Sequence, residues 1–210
     1  MRHIIFGNGG HGREVADMLR RRLAASETIC FATDGGGGGG GGAMFDLPVL
    51  DSAELGPDDT IYIAVGSGSA REEIERRLVT MGCRIGSMIA STALVSPFAT
   101  LGEGALVSDF TMINAAAVVG RQFQCNMYAY VAHDCRIGDF VTFAPAACCN
   151  GGVKIGDHAY IGSGALIRQN IRIGRGATVG MGAVVVSDIP DFATVVGNPA
   201  GPMRPSRSHG

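Results

Sequence analysis

The sequence predicts a small α/β domain followed by a parallel β-helix, and three observations predict it. Up to about residue 90, short apolar runs alternate with amphipathic stretches, the pattern of strands and helices in a parallel sheet. From Val95 onward an apolar or Cys residue recurs every six positions, a period that neither a helix of 3.6 nor a strand of two residues produces. Glycine is in excess, 33 of 210 residues, more than twice the usual share of about 7%, so tight turns and close backbone approach are frequent.

In chain order, His3-Ile4-Ile5-Phe6 reads as a buried strand, and Gly12 to Leu19 as a helix with Val15, Met18 and Leu19 on one face. Strands follow at Thr28 to Ala32 and Thr60 to Val65, a helix from about Ser69 to Met81, and a last strand near Arg84 to Ile89. Residues 1–90 therefore form a Rossmann-like unit, about half of a dinucleotide-binding domain. The run Gly35 to Gly42 is expected to be a mobile loop after the second strand and carries no functional weight.

Residues 91–210 hold the repeat. Counting by six from Val95 passes Leu101, Val107, Ile113 and Val131 and ends at Val185; four residues after each lies a second small or apolar residue, from Ala99 to Ile189. Both positions point inward in a parallel β-helix. Aromatics are only 6% with no Trp, so the core is aliphatic, and charged residues are 17% against about 25% usually, which leaves surface for a subunit interface.

Other classes lose support. The net charge is −2 and the longest basic run is Arg20 to Arg22, without the electrostatic footprint of a nucleic-acid binder. The six cysteines show no CxxC pair and no regular spacing with His, so no metal site is expected and the thiols read as reduced. No apolar run approaches the roughly 18 residues that span a bilayer, and the reading is a cytoplasmic protein without membrane insertion.

Two motifs carry chemistry. Gly7-x-Gly9-x-x-Gly12 follows a strand and opens a helix, where backbone N–H groups hold phosphate, and Asp34 ends the second strand where a ribose-binding acid would fall. NAD, a nucleotide sugar or a plain structural turn would each fit; the short domain favours a single nucleotide. His133 lies two positions after Val131, so its side chain points out of the coil. It is either an ordinary exposed histidine or a general base, for which imidazole, with an ordinary pKa of roughly 6.5, is suited. Asp134 is either a solvated turn carboxylate or the partner that orients the ring.

With Gly7-Asn8-Gly9-Gly10-His11-Gly12, the stretch Val131-Ala132-His133-Asp134-Cys135-Arg136-Ile137-Gly138-Asp139-Phe140, and Gly197-Asn198-Pro199-Ala200 after the last coil, the chain resembles the hexapeptide-repeat nucleotide-amino-sugar N-acetyltransferases of bacillosamine and perosamine type and the related sialic acid O-acetyltransferases. The resemblance implies a left-handed β-helix with three hexapeptides per coil, so that Gly151, 18 residues after His133, lies one coil above it. There Gly151 is either a turn glycine or an N–H donor to an oxyanion. It further implies a nucleotide site at Gly10, His11 and Gly12 with Asp34 and Gly66, a sugar contact at Asn126, and acetyl-CoA along Thr142, Ser163, Gly180 and Met181 between the subunits of a homotrimer. Gly201 stands where the family commonly has Lys, with Arg204 as a substitute, and Tyr128 and Tyr130 are bulkier than the family's usual residues. The expected activity is acetyl transfer to an amine of a nucleotide-linked deoxy-amino sugar. Acetylation of a sugar or sialic acid hydroxyl, and a non-catalytic nucleotide-sugar-binding trimer, are the alternatives.

Overall fold

The computed structural model describes residues 2–35 and 45–203. Gly36 to Gly42 and Arg204, both singled out above, lie outside the described residues.

The first unit is a five-stranded parallel sheet of β1 (Arg2–Phe6), β2 (Thr28–Thr33), β3 (Val49–Asp51), β4 (Asp59–Ile63) and β5 (Arg84–Ile85), in the order β3-β2-β1-β4-β5. Alternation of side chains sends Ile5 and Phe31 to one face and Ile4, Phe6, Cys30 and Ala32 to the other. Helix α1 (Gly10–Arg22) covers the first face with Val15, Met18 and Leu19, and α2 (Gly68–Thr80) covers the second with Leu78. Ser67 caps α2, its Oγ accepting from Ala70 N at 3.4 Å. The sequence gives no apolar run at β3; it is short and half-buried at the sheet edge.

The second unit is a parallel β-helix whose two-residue strands line three faces. The first face runs from Leu94–Val95 to Val184–Val185, the second from Thr100–Leu101 to Arg172–Ile173, and the third from Met88–Ile89 to Thr194–Val196. Partners on each face are 18 residues apart, as in Ile113 with Val131 and Val131 with Cys149. Both inward positions of each hexapeptide are buried from Val107 to Ile189, and Phe123 meets Phe143 edge to face at 5.3 Å.

Two readings need correction. Met88–Ile89, read as the end of an α/β strand, pairs instead with Leu106–Val107 on the third face, because the chain breaks at Gly86 and enters the first coil. The six-residue count also fails at the top: Ile173 bridges Ile189 and Val179 pairs with Val195, so the last coil has lost two residues.

At 14 successive corners, every sixth residue from Gly104 to Gly182, φ is positive, and nine of these residues are not glycine. The turn before the next strand requires this, as at the third position of a type II turn. The α/β unit sits on the third face. Leu106 joins the α1 core cluster, Arg21 donates two hydrogen bonds to Asp109 (3.0 and 2.6 Å), and α2 is anchored through Arg71.

Candidate active site

His133 occupies the corner between the first and second faces, with 67% of its side chain exposed. Val131 and Cys135 on either side are fully buried in the coil, which fixes the turn and leaves the imidazole no inward direction. Asp134 takes the positive-φ place of this turn (φ 60°), a conformation that Asp tolerates better than most residues. Its Oδ2 lies 2.8 Å from His133 Nδ1. An ionised carboxylate can only accept, so Nδ1 carries the hydrogen and Nε2 keeps its lone pair toward solvent.

Gly151 lies directly over this ring. A β-carbon built on it would stand 2.6 Å from Cε1 and 2.7 Å from Nε2 of His133, closer than any side chain can come, so glycine is obligatory while the imidazole holds this place. The coil contact is completed by Gly152 N donating to His133 O at 3.0 Å. The N–H of Gly151 forms no hydrogen bond within the described residues. A basic nitrogen, a carboxylate behind it and an open backbone donor beside it form the minimal set for acyl transfer.

A second constellation lies at the C-terminal ends of β1, β2 and β4, the customary ligand crevice of an open parallel sheet. Gly7 has φ 109°, and a β-carbon on Gly12 would lie 2.0 Å from Gly7 O, so both glycines are needed to bring α1 against β1. Gly10 opens α1 with free space around its α-carbon, and no side chain caps this end of the helix. His11 approaches Glu14 through Nδ1 at 3.2 Å, while its Nε2 is buried without a partner among the described residues. Asp34 accepts from Ser52 Oγ at 2.7 Å and pairs with Arg77 at 2.7 Å; the Ser52 hydrogen bond and the Arg77 charge hold its carboxyl below the ordinary range. Gly66 ends the loop after β4, its carbonyl accepting from Thr142 Oγ1 at 3.1 Å.

The corner between the third and first faces carries Asn126, Ser163, Gly180 and Met181. Met181 is 81% exposed and stands one coil above Ser163, whose carbonyl accepts from Gly182 N at 2.8 Å. Asn126 is half-buried with Oδ1 unpartnered. Thr142 is apart from this group: it is 3% exposed on the third face, and its hydroxyl is directed to Gly66 rather than to the corner of Ser163 and Met181.

Within one chain, then, three groups occupy three places. The His133 corner is opposite the third face, and the α/β unit with its crevice covers that third face. Sequence reasoning found His133, Asp134 and Gly151 together, but it missed the residues that join the two units: Arg71, Glu75, Gln122 and Gln124, all buried. Gln122 and Gln124 sit at outward positions of the coil, where a polar side chain reads as solvated, so no local signal marked them. Among the described residues no three His, Cys, Asp or Glu side chains gather as a metal site, no helix is long and apolar enough to cross a membrane, and all six cysteines are free thiols.

Comparison with known proteins adds to this geometry. Residues 2–78 match the PglD N-terminal domain and residues 152–187 the bacterial transferase hexapeptide (six repeats). The chain is 37% identical over 156 residues to the GDP-perosamine N-acetyltransferase of Escherichia coli O157:H7, covering 72% of this chain and 71% of that protein. Among solved structures it superimposes on the acetyltransferase domain of PglB from Neisseria gonorrhoeae FA1090 in complex with acetyl coenzyme A, with TM-score 0.89, 34% identity and coverage of 96% and 98%. It also superimposes on PerB from Caulobacter crescentus in complex with CoA and GDP-perosamine, with TM-score 0.86, 31% identity and coverage of 97% and 98%.

Proposed function

The chain belongs to the hexapeptide-repeat nucleotide-amino-sugar N-acetyltransferases, and from that premise we propose that it transfers an acetyl group from acetyl-CoA to the amine of a nucleotide-linked deoxy-amino sugar, directly and without an acyl-enzyme. The observation that carries this reading is the His133 corner: an outward imidazole with Nδ1 at 2.8 Å from Asp134 and Nε2 beside the bare backbone of Gly151.

The sugar nitrogen attacks the thioester carbon. Nε2 of His133 takes the proton that nitrogen sheds, and the hydrogen bond to Asp134 steadies the imidazolium. Gly151 N–H donates to the oxyanion of the tetrahedral intermediate. Its collapse breaks the C–S bond, and coenzyme A leaves as a thiolate that takes up the proton. In the α/β crevice, Gly10, His11 and Gly12 receive the diphosphate at the start of α1, and Asp34 and Gly66 line the nucleoside side.

The crevice unit covers the third face and the His133 corner is opposite it, which supports a site built between copies. In this reading His133, Asp134 and Gly151 come from one copy, and the crevice with Asn126, and the Ser163, Gly180 and Met181 ridge for the pantetheine arm, come from a neighbour in a homotrimer. Six free thiols suit a reducing cytoplasm.

The test is a panel of GDP-, UDP- and dTDP-linked amino sugars and free sialic acids with acetyl-CoA, followed by thiol release. Release with a nucleotide-linked amino sugar and formation of its amide is expected; release only with hydroxyl acceptors, or with none, would overturn the reading.

A further inference from the structure

Arg71 is the least explained charge in the molecule. It lies in the second turn of α2 and is fully buried (0% exposed) between the α/β unit and the coil. Nη1 donates to Val65 O and Gly66 O, both at 2.9 Å, and to Gln124 Oε1 at 3.2 Å. Nη2 donates to Phe140 O at 2.6 Å and Val141 O at 3.2 Å, while Nε has no partner among the described residues. Among the described residues no carboxylate touches it; Glu75, one turn further along α2, is engaged with Gln122 Nε2 at 2.7 Å and with Arg121. Burial pushes the Arg71 guanidinium down to about 9, so it remains charged at neutral pH, with no counter-ion among the described residues.

Stability alone does not call for such a residue. Apolar side chains of similar size generally serve a buried junction as well as a charge does, since desolvation offsets much of what the charge gains. What the planar guanidinium supplies is direction: its fork holds acceptors on two separate segments at set angles. Here those segments are the loop after β4 and the coil at Phe140 and Val141. Two further donors act on the same stretch of backbone, Gln124 Nε2 on Ile63 O at 2.9 Å and Thr142 Oγ1 on Gly66 O at 3.1 Å. The carbonyls of residues 63, 65 and 66 are thus turned toward the coil. The N–H groups of Ser67, Gly68 and Ser69, next along the chain, form no hydrogen bond within the described residues.

We propose that Arg71 is a positioning residue for the acceptor substrate: from inside the junction it sets the loop at Gly66, and with it the nucleotide crevice, in one place relative to the coil. The inference rests on the reading of that crevice given under Proposed function. Arg71 touches neither substrate; it acts through Val65 and Gly66, with Thr142 as a weaker second hold.

The experiment compares wild type, Arg71→Met, Arg71→Lys and Thr142→Val in steady-state kinetics with acetyl-CoA and GDP-perosamine, and in calorimetric binding of GDP, UDP and dTDP. Arg71→Met is expected to raise the acceptor KM, and the Kd of whichever diphosphate wild type binds, by about tenfold or more, the scale of a hydrogen bond to a charged group. The acetyl-CoA KM should stay within about twofold and kcat within about threefold. Arg71→Lys, which keeps the charge but not the fork, should fall between, and Thr142→Val should shift the same parameter by about two- to fivefold. A merely structural role would lower the amount of folded enzyme and leave both KM values where they are. If Arg71→Met does not fold, the lysine and valine variants carry the test. Diphosphate affinity unchanged in those two variants, both KM values rising together, or no binding of any of the three diphosphates to wild type would overturn the inference. Diphosphate binding that weakens as expected, without turnover of any amino sugar, would uphold Arg71 while failing the catalytic reading.

Discussion

In the α/β unit, strands of two to six residues pair side by side and helices cover both faces of the sheet; in the β-helix, strands of two or three residues pair one coil with the next and, among the described residues, no helix is used. The first arrangement draws its core from residues far apart in sequence. The second draws it from positions 18 apart, repeated coil after coil, so each coil touches only its neighbours. The difference appears again at the corners. The α/β unit spends glycine where packing demands it, at Gly7 and Gly12, whereas the coil places Phe, Tyr, Gln and Ala at positive φ because its turns require that conformation at fixed intervals. Repetition tolerates a strained residue at one corner because stacking on both sides holds it.

Substitutions can break or sharpen this contrast. The largest effect is expected from Phe143→Ala, which removes a fully buried ring packed on Phe123 in the middle of the coil: a loss of about 3–5 kcal/mol, read from denaturant unfolding, is the usual cost of such a cavity. A loss under about 1 kcal/mol would show that stacking between coils, and not the interior, carries the stability. His133→Ala should lower kcat by about 10²-fold or more while the unfolding midpoint stays within error, because the ring lies outside the core. Gly151→Ala should lower kcat by about 10- to 100-fold, since the added methyl displaces the imidazole at 2.6 Å. Gly10→Ala, with open space around it, should leave the fold unaffected.

A smaller and more direct contrast uses one substitution in both units. Ala116→Gly, at φ 60° on a coil corner, should stabilise by about 0.5–1 kcal/mol, and Ala70→Gly in α2 should destabilise by a similar amount. Equal signs would mean that corner strain is absorbed elsewhere. The smallest effect concerns the clasp between the units. Hydrogen bonds from Arg21 and then Thr92 outweigh desolvation and hold the Asp109 carboxyl below the ordinary range. The folded value lies under the unfolded one, so the clasp stabilises fully above about pH 4 and its contribution is lost as pH falls through the folded value. Asp109→Asn should unfold slightly earlier than wild type at pH 7, and the gap should begin to narrow as pH falls below about 4.

How much was legible in advance follows the same division. The six-residue period and the outward direction of His133 follow from counting; the place of Gly151 above it needed the three hexapeptides per coil that the family resemblance implies, since only then does a repeat convert sequence distance into spatial distance. Strand β3 and the change of partner at Met88–Ile89 were not legible, since short edge strands and crossings between units carry no period. The shortened last coil was hidden for the same reason: a loss of two residues is a local event that only pairing reveals.

By itself the sequence determined the two units, the six-residue period and the outward imidazole with its neighbouring carboxylate, which depend on local spacing, and through its family resemblance the glycine one coil above them. Only the tertiary structure decided that the α/β unit covers the face opposite that corner, that Thr142 turns to Gly66, and that a buried Arg71 joins the nucleotide loop to the coil. Those outcomes depend on which surfaces of two independently patterned units meet, and a polar residue bound for such a junction looks no different in the chain from one bound for water.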